Sequence, residues 1–145
     1  MHKASCDFCT IVSNPEAEIV YEDTYTVGFF PLYPAVTGHT LLIPKSHMPD
    51  LFSLDEPTVE ALARSTLKVA AALKEALAPE GMNVISSSGR AASQTVFHFH
   101  THLVPRWAND RIGDIWPPKR EFDAIMAKNL AMLIRNVIAV REMHT

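Results

Sequence analysis

Several things that would set this chain's class at once are missing from it. No apolar run reaches the ~18 residues of a membrane-spanning helix, and no basic stretch followed by an apolar signal core opens the sequence. A soluble, cytoplasmic protein without a membrane partner is therefore expected. An excess of positive charge is also missing: 13 Lys and Arg stand against 16 Asp and Glu, for a net charge of −3. Without a basic field there is little to draw a nucleic acid polymer from a distance, although local donors can still hold a small anionic ligand. Cysteine is scarce, with only two, both in Cys6-Asp7-Phe8-Cys9. That spacing belongs to a metal knuckle or redox pair and not to a secreted disulfide framework. No internal repeat or low-complexity tract is visible.

What is present is enough apolar sequence for one core. With 145 residues, 48% of them hydrophobic, the expectation is a single domain over 1–145. Asn14-Pro15 marks a turn, Glu18 to Tyr21 a short strand, and Thr24 to Phe30 a second strand paired with it as a hairpin. Pro31 to Gly38 reads as a loop leading into a strand from His39 to Ile43. Ser53-Leu54-Asp55-Glu56 has capping-box spacing. The apolar positions that follow, Val59 to Leu77, recur at helical intervals until Pro79 and Gly81 stop them. Met82 to Ser86 reads as a strand and residues 87–93 as a small-residue loop. A second helical stripe, from Phe122 to Val140, places a closing helix at about 119–142. Strands joined by short turns, with two main helices, point to an α+β fold with an antiparallel sheet.

The richest stretch is Val96-Phe97-His98-Phe99-His100-Thr101-His102-Leu103-Val104. Read as one strand, it puts His98, His100 and His102 on one face and Phe97, Phe99, Thr101 and Leu103 on the other. Three neighbouring imidazoles pack poorly in a core and have near-neutral pKa values, so the row points to chemistry. Residues two apart on one face step by ~7 Å, so all three cannot reach one metal ion. The Cys6/Cys9 pair can supply two thiolates to a tetrahedral zinc. The remaining ligands would come from His47 and one member of the row; two ordinary thiols remain the alternative.

Two blocks carry a family resemblance. His98-Phe99-His100-Thr101-His102-Leu103-Val104, preceded by Gln94-Thr95-Val96, resembles the histidine triad signature, His-φ-His-φ-His-φ-φ with φ apolar. Gly38-His39-Thr40-Leu41-Leu42-Ile43-Pro44-Lys45-Ser46-His47 resembles a second block of the same histidine triad (HIT) family. With Cys6 to Cys9 and the helix between the blocks, the likeness covers the motif-bearing core 6–106.

The resemblance implies a HIT-like fold, a homodimer, and a nucleotide hydrolase or nucleotidyl transferase acting at an α-phosphate. Its substrates would be nucleoside phosphoramidates or dinucleoside polyphosphates. It makes His100 the nucleophile of a nucleotidyl-histidine intermediate, with Gln94, Thr95 and His102 about the phosphate and His39 and Ser87 as candidate nucleotide contacts. It makes Cys6, Cys9, His47 and His98 the ligands of a structural Zn2+. The chain departs from the pattern at Pro31, where many members carry a ribose-binding acid or amide, and at Ser87 and Ser93. Those departures motivate an alternative reading as a non-catalytic nucleotide-binding regulatory module. Trp107 and Trp116 are read as packing or base-stacking residues.

Overall fold

The computed structural model describes residues 6–14, 18–121 and 123–143. Pro15 of the expected turn, Phe122 of the second helical stripe, and the terminal His2 and His144 lie outside the described residues. The chain divides into two compact units, 1–112 and 113–145.

The first unit is built on five antiparallel strands: β1 (Ile19–Glu22), β2 (Thr26–Phe29), β3 (Thr40–Pro44), β4 (Gly81–Ile85) and β5 (Thr101–Arg106). They lie in the order β1-β2-β3-β5-β4. Helix α1 (Asp7–Ser13) precedes the sheet and α2 (Glu56–Leu77) connects β3 to β4. This is the expected α+β class, with a short additional helix. Strands β2 and β3 are buried along their whole length. Successive β3 side chains divide between two cores, as strand geometry requires. Leu41 and Ile43 join Phe8, Cys9, Val27 and Phe29, whereas Leu42 joins Leu62, Val69, Phe99 and Leu103.

Local chemistry moves several element boundaries. The second strand begins at Thr26 and not Thr24, because the Asp23 carboxylate accepts the backbone N–H groups of Tyr25 and Thr26 at 2.8 and 2.7 Å and turns the chain there. It also accepts the Tyr21 and Ser65 hydroxyls, which ties the hairpin to α2. Burial pushes the Asp23 carboxyl upward, but these donors outweigh it and hold the group well below the usual carboxylate range. The N-cap of helix α2 lies two residues after the Ser53 of the expected capping box. That cap is Asp55, which accepts from the Thr58 N–H, while Ser53 pairs reciprocally with Asp50 around a 3-10 turn. Ala78, in the left-handed region, closes the helix before Pro79. Gly38 adopts φ +78°, and a Cβ there would come within 2.3 Å of Leu77 Cδ1, so only glycine fits where the β2–β3 loop meets α2.

The largest departure is in the histidine stretch. Val96 to Val104 does not form one strand, since β5 begins only at Thr101. The Phe99 N–H leaves the ladder and donates to Met48 O at 2.6 Å, and the His98 ring donates to Pro44 O at 2.8 Å. His98 and His100 thus lie in an irregular lead-in, and only His102 sits within the sheet, opposite Leu41 on β3 and Ile85 on β4.

In the second unit, α3 spans Ala124–Glu142. It begins later than the expected 119, at the point where Asp123 accepts the Met126 N–H at 2.7 Å and supplies a cap. None of the described residues of α3 is buried.

Candidate metal centre and histidine site

Helix α1 is only seven residues long, too short to be stable by propensity alone. It is fixed by burial of Phe8 and Cys9, with Cys6 as its extended N-cap. This brings both sulfurs to the lead-in. Cys6 and Cys9 form no disulfide; their Sγ atoms lie 3.5 and 3.6 Å from His98 Nδ1, and Cys9 Sγ lies 3.4 Å from His47 Nδ1. Because Pro44 O can only accept, His98 carries its proton on Nε2 and turns an Nδ1 lone pair toward the sulfurs.

The ligand atoms of Cys6, Cys9, His47 and His98 all lie within 4.8 Å of one another. For zinc bonded to sulfur at ~2.3 Å and nitrogen at ~2.05 Å, a tetrahedron has S–N edges of about 3.5 Å. The observed separations meet that edge, so these four residues can hold a metal, and the sequence expectation for the ligand set coincides with the cluster. Neither His100 nor His102 belongs to it.

Beyond the cluster the hydrogen bonds assign the remaining imidazoles. His100 is buried, and its Nδ1 lies 2.8 Å from the His98 carbonyl, which can only accept. Nδ1 therefore bears the proton and Nε2 the lone pair. At the other end, the Ala35 backbone N–H donates to His39 Nδ1 at 3.0 Å, so neutral His39 is protonated at Nε2. That proton points at His102 Nδ1, 2.9 Å away. His102 must then accept at Nδ1 and carry its own proton on Nε2. The rings of His100 and His102 are 5.0 Å apart. The site thus places a basic lone pair next to an N–H donor, which suits attack on an electrophile whose oxygen needs a hydrogen bond.

Burial lowers the pKa of His39, and burial together with the neighbouring His100 and His39 brings His102 down to about 4. Both are therefore neutral at pH 7, as the hydrogen-bond assignment requires.

The other expected site residues distribute unevenly. Both His39 ring nitrogens are engaged within the chain, so it orients His102 and has no ring nitrogen left for a nucleotide. Gln94 is 4% exposed and hydrogen-bonded to Gly89, Pro49 and Val96. Thr95 is exposed and Ser87 half-buried in the same loop region. Pro31 sits just past β2. Trp107 caps a turn held by the Arg106–Asp110 ion pair, and Trp116 is 83% exposed. Sequence reasoning passed over Phe8, whose ring meets His100 edge-to-face at 5.3 Å, and Ser86, whose hydroxyl donates to the His100 carbonyl at 2.9 Å. Its position between the two cysteines was the available signal for Phe8; the Ala35 N–H, a backbone group, left none.

Residues 13–109 match the family model of the HIT domain. A HIT family protein from Bacillus anthracis is 36% identical over 92% of this chain and 97% of its own, with a TM-score of 0.85. A histidine triad nucleotide-binding protein from Sulfolobus tokodaii, itself hypothetical, is 34% identical over 92% of both chains, with a TM-score of 0.70. A zinc-bound histidine triad family protein from Mycobacterium smegmatis is 37% identical over 97% of this chain and 98% of its own, with a TM-score of 0.67.

The imidazole assignment leads to a direct measurement. In an NMR titration His102 is expected to protonate near pH 4, and not near the ordinary 6.5. The folded value lies below the unfolded one, so the unfolded chain takes up the proton first as pH falls. The stability contributed by neutral His102 is complete above pH 6.5 and declines between 6.5 and 4. His102→Asn should flatten urea-unfolding stability within that window; a His102 midpoint near 6.5 would contradict the assignment.

Proposed function

The chain belongs to the HIT domain family, and from that premise we propose that it is a nucleotide-binding hydrolase or nucleotidyl transferase working at an α-phosphate through a nucleotidyl-histidine intermediate on His100. The observation that carries this reading is the pairing of a His100 Nε2 lone pair with a His102 N–H 5.0 Å away, ring centre to ring centre. The Sulfolobus tokodaii relative, described as nucleotide-binding, supports the ligand class.

In the first step Nε2 of His100 bonds to phosphorus and the bond to the leaving group breaks, the departing nitrogen or oxygen taking up a proton from solvent. The N–H of His102 donates to a phosphate oxygen as charge develops there. In the second step a water oxygen bonds to phosphorus, the P–N bond to His100 breaks, and the water proton is released. A neutral imidazole suits both steps, being nucleophilic near pH 7 and a good leaving group once protonated. A nucleoside phosphoramidate or a dinucleoside polyphosphate offers the required leaving group.

Cys6, Cys9, His47 and His98 are proposed as ligands of a structural zinc, in keeping with the tetrahedral edge lengths and with the zinc-bound Mycobacterium smegmatis relative. Four protein ligands leave no open position for a reacting water. Its contribution is to tie α1, and with it Phe8, against the lead-in that presents His100.

A homodimer is proposed along β4. This strand ends the sheet and carries Val84 at 55% exposure, beside an apolar groove that includes Leu51, Val59, Leu67 and Phe99. A second copy would pair the strand edge and cover the groove.

Three outcomes follow. His100→Ala should reduce turnover of an adenosine phosphoramidate by at least 10⁴-fold while nucleotide binding persists. Quenched reactions of the wild type should show the adduct on His100 by mass spectrometry; binding without turnover in the wild type would favour the regulatory alternative. Elemental analysis should find about one zinc per chain. Cys9→Ser should lower thermal stability far more than it lowers the single-turnover rate constant, whereas metal-free protein from zinc-replete medium would remove the structural-zinc proposal. Light scattering should give about twice the 16.1 kDa chain mass, and Val84→Glu should return a monomer; a monomeric wild type at micromolar concentration would exclude the pairing.

A further inference from the structure

We propose that Gln94 is a positioning residue that fastens the lead-in to the histidine row and does not donate to phosphate; the inference rests on the reading of His100 as nucleophile. Gln94 has two amide hydrogens and both are used, by Pro49 O at 2.6 Å and Val96 O at 3.0 Å. Its Oε1 accepts the Gly89 N–H at 2.7 Å. Gln94 is 4% exposed, so releasing a hydrogen to a ligand would break one of these shielded bonds and leave a partly buried carbonyl without its donor, which is unfavourable.

The need for such a fastening comes from where β5 begins. Residues 94–100 have no place in the ladder, which starts at Thr101. They are held instead by three bonds to the end of β3 and the segment that follows it: His98 Nε2 to Pro44 O on β3, and Phe99 N to Met48 O and Gln94 Nε2 to Pro49 O beyond it. Gln94 also reaches a third piece of chain, the loop at Gly89, as His98 reaches the two cysteines of the N-terminal segment. That loop begins beside Ser86, whose hydroxyl holds the His100 carbonyl. The His100 ring is aimed by a single bond from Nδ1 to the His98 carbonyl. The orientation of that carbonyl depends on the lead-in being anchored at both ends, and Gln94 supplies one anchor. A displacement of about 1 Å at a reacting atom can cost roughly 10²-fold in rate.

The test uses the full-length, zinc-loaded protein and Gln94→Met, which keeps length and burial but removes all three bonds. In the ligand-free wild type, ¹⁵N NMR should show His100 protonated at Nδ1 and the Gln94 amide hydrogens in slow exchange. In Gln94→Met the His100 signals should show a mixture of tautomers. The single-turnover rate constant should fall by 10–10²-fold at unchanged burst amplitude, with KM within about threefold. A purely structural loss would lower the amplitude and leave the rate constant and tautomer alone. The proposal is overturned if Gln94→Met leaves tautomer and rate constant as in the wild type, or if saturation with adenosine 5′-monophosphate shifts the Gln94 amide signals as a phosphate donor would require. The wild-type exchange measurement stands even where the variant fails to fold. Absence of nucleotide binding or turnover in the wild type would instead strike the functional reading, while the ligand-free tautomer and exchange data would still decide the role of Gln94.

Discussion

The rest of the first unit depends on the buried imidazole of His98, which is used at three points. Its Nε2 donates to the carbonyl that ends β3, its Nδ1 faces two sulfurs, and its backbone carbonyl receives the His100 Nδ1 proton. The two ring contacts depend on each other, because an imidazole with its Nε2 proton committed has one lone pair left, on Nδ1. The sheet thereby determines which nitrogen meets the cysteines, and the peptide that carries that ring determines which nitrogen of His100 is free. Full burial of the His98 side chain makes the arrangement demanding, since each polar atom there must find its partner inside the protein.

The same economy of partners appears at the hairpin turn. Asp23 gathers five hydrogen bonds from Tyr21, Tyr25, Thr26 and Ser65, and Thr26 and Ser65 also bond each other at 2.8 Å. A carboxylate among so many donors stays ionised despite burial. The network ties α2 to β2 and to the turn before it by hydrogen bonds rather than by apolar packing.

Much of this was legible from residue order alone, and the illegible parts have physical causes. Helix α2, the β2 and β3 strands and the α+β class are readable from periodicity, proline and glycine, and ligand chemistry groups Cys6, Cys9 and His47 with one member of the histidine row; only the family resemblance singles out His98. The strand through His98 is shorter than its pattern implies: strict alternation of apolar residues and histidines satisfies the strand pattern, yet the carbonyls of Pro44 and Met48 compete for the ring and backbone donors. That competition is tertiary and leaves no trace in the stretch itself. Helix α1 was missed because seven residues make too few turns for a periodicity. The position of Gln94 against Pro49 and Gly89, and of Ala35 against His39, depends on loops closing over many residues.

The histidine relay that ends on the Ala35 amide has a consequence for proton traffic. A backbone amide does not titrate in water, so the chain from His102 through His39 is a blind alley and not a conduit to bulk solvent. Protons can enter or leave it only through Nε2 of the half-buried His102. Any proton that a reaction at this site takes up or releases must therefore exchange on the reactant side of His102 and not through the interior of the protein.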